Sequence, residues 1–117
     1  LKRVINNIIS NSVKYMSTDR KGIINIRISD ADDFVQFEIE DNGKGIAQKD
    51  VQYIFDRFYR TDSSRNSAQG GSGIGLSIVK KIISDHGGQI WATSKEGTGT
   101  VMHFVLRKYK NQESREQ

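Results

Sequence analysis

The chain holds eleven glycines and no proline in 117 residues, and ten of the eleven glycines lie between Gly43 and Gly99. Glycine without proline points away from stiff linkers and toward loops whose backbone turns sharply or passes close to a ligand. The glycines also punctuate the sequence. Gly43-Lys44-Gly45, Gly70 to Gly75, Gly87-Gly88 and Gly97-Thr98-Gly99 divide everything after residue 42 into short elements, and the patterns between these breaks define the fold.

Leu1–Tyr15 predicts a helix, because at about 100° per residue Val4, Ile5, Ile8, Ile9, Val13 and Tyr15 fall on one broad apolar arc. Asn7, Asn11 and Lys14 gather at the edge of that arc, since positions i, i+4 and i+7 share a helix face. Two strands follow: Ile24, Ile26 and Ile28 alternate with polar residues, as do Val35, Phe37 and Ile39, and Asp30-Ala31-Asp32-Asp33 forms the hairpin between them. Gln48–Phe55 holds one or two short helical turns. Neither period fits from Asp56 to Ser72, a length that marks a functional lid or a disordered connection. Helix returns at Gly75–His86, with Leu76, Val79, Ile82, Ile83 and His86 on one side and Gly87-Gly88 as its stop. Gln89–Ser94 and Thr100–Leu106 are two further strands joined by a glycine-bearing turn. Hairpin-linked strands with interspersed helices predict an α+β fold: a two-layer sandwich whose mixed, mostly antiparallel sheet is covered on one face by helices. The domain is expected over residues 1–106, with 107–117 as a polar, disordered tail.

Composition narrows the function classes. Charged residues at 27% and hydrophobic residues at 35% describe a globular domain. No apolar run approaches the roughly 18 residues a membrane helix needs. Without cysteine there is no disulfide scaffold, thiolate metal site or thiol nucleophile. Lys2, Arg3 and three asparagines within Leu1–Tyr15 are no signal peptide. The net charge of +4 comes partly from Arg107, Lys108, Lys110 and Arg115 and lacks the basic stripe with interleaved aromatics of a nucleic-acid surface.

The second strand carries the sharpest clue. Val35, Phe37 and Ile39 face the core, and the same parity continues to Asp41, where the chain breaks into Gly43 and Gly45. A carboxylate aimed at an apolar layer needs a partner: either it caps the following Asp-Asn-Gly turn, or it accepts from a ligand amine for which the glycines clear room. Thr100 likewise shares the parity of Met102, Phe104 and Leu106. Gly70 to Gly75 immediately precedes a helix, so its free N–H groups form either an anion site or a flexible hinge; the spacing is neither a Walker loop nor the dinucleotide fingerprint. Asn7 and Asn11, one turn apart, either offer amide oxygens to a hard cation such as Mg²⁺ or merely cover a helix surface. Lys14, Arg57, Arg60 and Arg65 either compensate phosphate charge or serve solubility.

In this order, Asn7-Ile-Ile-Ser-Asn11-Ser-Val-Lys14-Tyr15, Asp41-Asn-Gly43-Lys-Gly45-Ile46, Phe55-Asp-Arg57-Phe58-Tyr59-Arg60 and Gly71-Ser-Gly73-Ile-Gly75-Leu76 resemble the N, G1, F and G2 boxes of bacterial sensor histidine kinases. His86-Gly-Gly and Gly97-Thr-Gly-Thr100 complete the pattern, and the resemblance covers Leu1 to Leu106. It implies the ATP-binding catalytic domain, with the Bergerat-type fold shared with gyrase-type, mismatch-repair and Hsp90-type ATPases.

The resemblance implies Asn11 as the Mg²⁺ ligand, Asn7 beside it, Lys14 reaching phosphate and Tyr15 packing on adenine or ribose. Asp41 accepts from the adenine amino group, Gly43, Gly45 and Ile46 pass the base, and Thr100 joins Asp41 through water. Residues 61–72 form the ATP lid, with Arg60 and Arg65 as phosphate contacts and Phe55 and Phe58 at its hinge, Phe58 also in the nucleotide site. Gly73, Gly75 and Leu76 offer backbone amides to phosphate. The implied activity is ATP-dependent protein-histidine kinase: transfer of the γ-phosphate to a histidine on a separate helical dimerisation domain of the same homodimeric protein, for relay to a response regulator. The implied location is the cytoplasmic side of a membrane sensor, with no membrane or nucleic-acid contact by this domain. His86, assigned to the core, and His103, on the outward parity of its strand, are not acceptors. The strand and helix that precede the first motif in the family are expected upstream of Leu1, and Arg107 stands where many relatives carry proline. Two other classes stay open: a nucleotide sensor without kinase activity, and an ATP-driven clamp, which would want a catalytic glutamate where Asn7 stands.

Overall fold

The computed structural model describes residues 1–57 and 75–108. Among these residues seven elements follow one another: α1 (Lys2–Lys14), β1 (Ile24–Ala31), β2 (Phe34–Asp41), α2 (Gln48–Val51), α3 (Gly75–Asp85), β3 (Gln89–Lys95) and β4 (Gly99–Arg107). The strands form one sheet in the order β1-β2-β4-β3, and every pairing among them is antiparallel. With helices on one face this is the expected two-layer α+β sandwich.

Register turns the period-2 patterns into rows that run across all four strands. Ile28, Phe37, Phe104 and Ile90 form one row, and Ile26, Ile39, Met102 and Ala92 the next. The Phe37 and Phe104 rings stack with centroids 4.7 Å apart. Val4 and Ile8 of α1 and Val79 and Ile83 of α3 complete a buried core with Ile39, Met102, Phe104 and Ile54. A third row on this face, Ile24, Asp41, Thr100 and Ser94, ends the sheet in polar side chains.

Coverage of the sheet is uneven. The helices pack against β2, β3 and β4, so Ile26 and Ile28 on the edge strand share the core parity yet are 47% and 63% exposed. In α1 the buried line is Val4, Ile8 and Ser12, one side chain every four residues. Val13, expected on the apolar arc, stands 100° beyond that line and is exposed. Tyr15 lies just past the helix as its C-cap.

The helix α3 stops where Gly87-Gly88 predicts, with the Gly88 N–H donating to Ile83 O at 2.9 Å, the six-to-one bond of a Schellman ending. His86 corrects the core assignment made from its period. It lies one residue beyond α3, is exposed, and turns Nδ1 back onto Ile82 O at 2.7 Å. Its N–H still closes onto Ile82 O at 3.2 Å, but the chain reverses at Gly87, with φ +74°, and leaves the His86 side chain at the exposed end of the helix. Strand β4 includes Arg107, which the sequence pattern places in the tail. Its guanidinium sits 5.7 Å from the Phe34 ring centroid, and the Lys108 N–H donates to Asp33 O at 2.7 Å.

The uncovered face of the sheet is polar. Arg27, Glu38, His103 and Trp91 form one row across the four strands. Arg27 donates to Glu38 at 3.1 Å and Glu40 at 2.8 Å, and the Arg27 hydrogen bond holds the Glu38 carboxyl below the usual carboxylate range. His103 faces outward as its parity predicts. It is partly covered, with Nδ1 3.1 Å from Glu38, Nε2 2.9 Å from the Thr93 hydroxyl, and the Trp91 ring stacked on it.

Candidate functional site

Asp41 is the last residue of β2, directly opposite Thr100 near the start of β4. Its Oδ1 accepts the Gly43 N–H at 2.9 Å, so the turn-capping role is real. Among the described residues Oδ2 takes no hydrogen bond. One carboxylate oxygen therefore shapes the loop, and the other keeps its lone pairs unused among the described residues.

The loop that follows Asp41 is built tightly enough to need its glycines. A Cβ on Gly43 would stand 2.7 Å from Tyr15 O, and one on Gly45, which has φ +75°, would stand 2.2 Å from Lys95 O. Three segments are stitched to this loop. The Lys44 N–H donates to Tyr15 O at 3.0 Å, which fixes the end of α1 beside it, and the Gly97 N–H donates to Lys44 O at 2.7 Å. Asn42 accepts the Ile23 N–H and donates to Lys21 O, both at 2.8 Å. Arg20 Nη2 bridges Gly97 O at 2.8 Å and Gly43 O at 3.3 Å.

Thr100 is buried, and its hydroxyl lies 2.8 Å from that of Ser94. Ser94 also accepts the Ile46 N–H at 2.8 Å, while the Ile46 side chain packs at the edge of the core. A hollow of about 480 Å³ opens at this end of the sheet, lined by Asp41, Ser94 and Thr100 together with Glu40, Asn42 and Thr93.

Helix α1 brings Asn7, Asn11 and Lys14 alongside. Asn7 and Asn11 are half-buried beside the Val4–Ile8–Ser12 line, and among the described residues their amide groups take no hydrogen bond. Lys14 Nζ rests 5.6 Å from the Tyr15 ring centroid. Gly75 is exposed at the start of α3, and Leu76 turns its side chain into the core. Phe55 packs against the core from the chain after α2. Phe58, Arg60, Arg65, Gly73 and the lid at 61–72 lie outside the described residues. Among the described residues no three His, Asp or Glu side chains come together; the oxygen donors that α1 could offer a hard cation are the amide groups of Asn7 and Asn11.

Ser94, Arg20 and Asn42 were not among the residues the sequence singled out. Ser94 was detectable only through the β3–β4 register, which places it opposite Thr100. Arg20 carries no local signal for this role, because apart from its ion pair with Asp19 its partners are backbone carbonyls 23 and 77 residues away.

A family profile described as histidine kinase-, DNA gyrase B- and HSP90-like ATPase matches residues 1–110, and the chain belongs to that family. Within it the similarity runs to sensor histidine kinases. Sensor histidine kinase WalK of Bacillus subtilis (strain 168) is 41% identical over 113 residues, 97% of this chain and 18% of that protein. Sensor protein kinase WalK of Staphylococcus aureus is 40% identical over 106 residues, 91% of this chain and 26% of that protein. The chain thus spans about a quarter or less of these relatives. Among solved structures, mycobacterial sensor histidine kinase MprB matches with TM-score 0.77 and 31% identity over 90% of this chain and 70% of that one. Full-length ShkA in complex with AMPPNP matches with TM-score 0.75 and 28% identity, over 89% of this chain and 20% of that one.

Proposed function

We propose that this chain is the ATP-binding catalytic domain of a sensor histidine kinase, supplying the γ-phosphate for transfer to a histidine on a separate helical domain. The observation that carries the reading is Asp41: one oxygen is committed to the Gly43 N–H and the other has no partner among the described residues, at the mouth of a glycine loop. That is the arrangement an acceptor for an exocyclic amino group requires, and ShkA, a structural neighbour, was solved with the ATP analogue AMPPNP.

In this reading Asp41 accepts from the adenine amino group, Gly43, Gly45 and Ile46 line the base, Thr100 completes that edge through water, and Tyr15 packs beside the sugar. Lys14 neutralises phosphate charge. Gly73, Gly75 and Leu76 offer N–H groups to the phosphates where the dipole of α3 is positive, with Arg60 and Arg65 as further phosphate contacts and Phe58 at the hinge. Asn11, with Asn7 beside it, would hold Mg²⁺, which when bound draws charge from the triphosphate as the phosphoryl group leaves. The chain's own contribution is positioning and neutralisation; the nucleophile arrives from a partner domain.

The same reading makes the whole protein a homodimer that relays phosphate to a response regulator, with this domain on the cytoplasmic side of a membrane sensor. No helix among the described residues is long and apolar enough to cross a membrane. The test is transfer. A longer protein carrying this chain and a histidine-bearing helical domain, incubated with γ-labelled ATP and Mg²⁺, gains an acid-labile, base-stable phosphate. Retained ATP binding without labelling would reduce the domain to a nucleotide-binding module.

A further inference from the structure

We propose that Ser94 is a positioning residue that fixes the hydrogen-bonding sense of Thr100 and thereby selects adenine over guanine; the proposal rests on the ATP-binding reading above. Ser94 sits in β3 directly opposite Thr100, which in turn sits directly opposite Asp41. Its side chain is half-buried, and its hydroxyl has three neighbours: the Ile46 N–H at 2.8 Å, Gly99 O at 2.9 Å and Thr100 Oγ1 at 2.8 Å.

A hydroxyl has one proton and two lone pairs. The Ile46 N–H can only donate, so it occupies one lone pair. Gly99 O can only accept, so it takes the proton. All three contacts are then satisfied in one way alone: Thr100 donates its own proton to the remaining lone pair of Ser94. With its proton turned inward, Thr100 presents only lone pairs beside the unpartnered oxygen of Asp41. The result is an edge with acceptors and no donors. It matches the amino group of adenine, directly or through a water that donates to both, and it opposes the carbonyl oxygen that guanine carries at the same position. The Ile46 contact also ties the exit of the glycine loop to the same hydroxyl, so loop and acceptor are set together.

The test is calorimetric titration with AMPPNP and its guanine counterpart on the wild type, Ser94→Ala, Ser94→Thr, Thr100→Val and the Ser94→Ala/Thr100→Val double variant, each checked by thermal unfolding. The expected result is about a tenfold loss of AMPPNP affinity in Ser94→Ala with a narrowed adenine-to-guanine ratio, restored in Ser94→Thr, which keeps the hydroxyl. Because Ser94 acts through Thr100, the double variant is no weaker than the single ones, a non-additivity expected only of coupled residues. An unchanged ratio in a folded Ser94→Ala variant, or losses that add to about a hundredfold in the double variant, would overturn the proposal. If Ser94→Ala does not fold, Thr100→Val decides: loss of adenine preference supports the proposal and its retention overturns it. A folded wild type that binds neither analogue overturns the ATP reading itself, a result distinct from adenine binding that ignores Ser94.

Discussion

Asp41 and Thr100 face each other across the β2–β4 ladder at the polar end of an otherwise apolar sheet face. The two rows before theirs along the sheet carry Ile39 with Met102 and Phe37 with Phe104, all buried. The same alternation that buries those side chains therefore delivers a carboxylate and a hydroxyl to one place. The site is an extension of the core rather than a loop attached to it, and substitutions should separate into those that damage the scaffold and those that damage the ligand edge.

Glycine substitutions draw that distinction within one loop region. Gly45 and Gly97 both have positive φ, at +75° and +84°. A Cβ on Gly97 meets nothing within 4 Å, while one on Gly45 collides with Lys95 O. Gly97→Ala is expected to cost only the backbone term of about 1–2 kcal/mol, with ATP affinity retained. Gly45→Ala is expected to cost more and to weaken ATP binding as well, because Lys95 adjoins Ser94. Thermal unfolding with nucleotide titration measures both, and equal effects of the two variants would contradict the account.

Asn11→Ala separates binding from transfer. Asn11 makes no side-chain hydrogen bond among the described residues, so its removal leaves the fold intact. The base edge is untouched, and nucleotide affinity without Mg²⁺ is expected to stay near wild type. Phosphotransfer in the longer protein is expected to fall on the order of a hundredfold, the scale of losing one electrostatic contact to a transition state. Autophosphorylation at saturating ATP-Mg reads this, and an unchanged rate would remove Asn11 from the metal site.

Acid stability tests the open face. The Arg27 hydrogen bond, with His103 alongside, lowers the folded-state pKa of Glu38. Across the window between that lowered value and the ordinary carboxylate range the unfolded chain binds more protons than the folded one, so stability rises with pH there. The contribution is complete above the ordinary range and is lost as pH falls through the folded value. Gln36, Arg27 and His103 face this carboxylate, and Glu40 shares Arg27. Glu38→Gln is expected to flatten the acid limb of a plot of unfolding midpoint against pH. A limb as steep as that of the wild type would show that the ion pair contributes nothing.

Much of this fold was legible because its signals are local. Parity placed Asp41 with Phe37 and Ile39, and Thr100 with Met102 and Phe104; Gly87-Gly88 marked the end of α3. What stayed hidden depends on register and coverage. Ile26 and Ile28 have the core pattern, yet the edge strand carries them beyond the helices. His86 continues an apolar period that the chain has already abandoned. Ser94 acquires its partners only when β3 pairs with β4, and Arg20 reaches carbonyls of two loops distant in sequence. Those relationships are set by tertiary closure, which no window of residues contains.

The central claim is that Asp41 is the acceptor for the base of ATP. Asp41→Asn keeps an oxygen for the Gly43 N–H and converts the free position to a donor, so the loop survives while the ligand edge is reversed. The decisive measurement is calorimetric titration of the wild type and Asp41→Asn with a non-hydrolysable ATP analogue, with and without Mg²⁺. The account predicts Mg²⁺-assisted binding by the wild type and its loss, by about a hundredfold or more, in a variant that unfolds at nearly the same temperature. Equal affinities in the two proteins, or a folded wild type that does not bind, would contradict it.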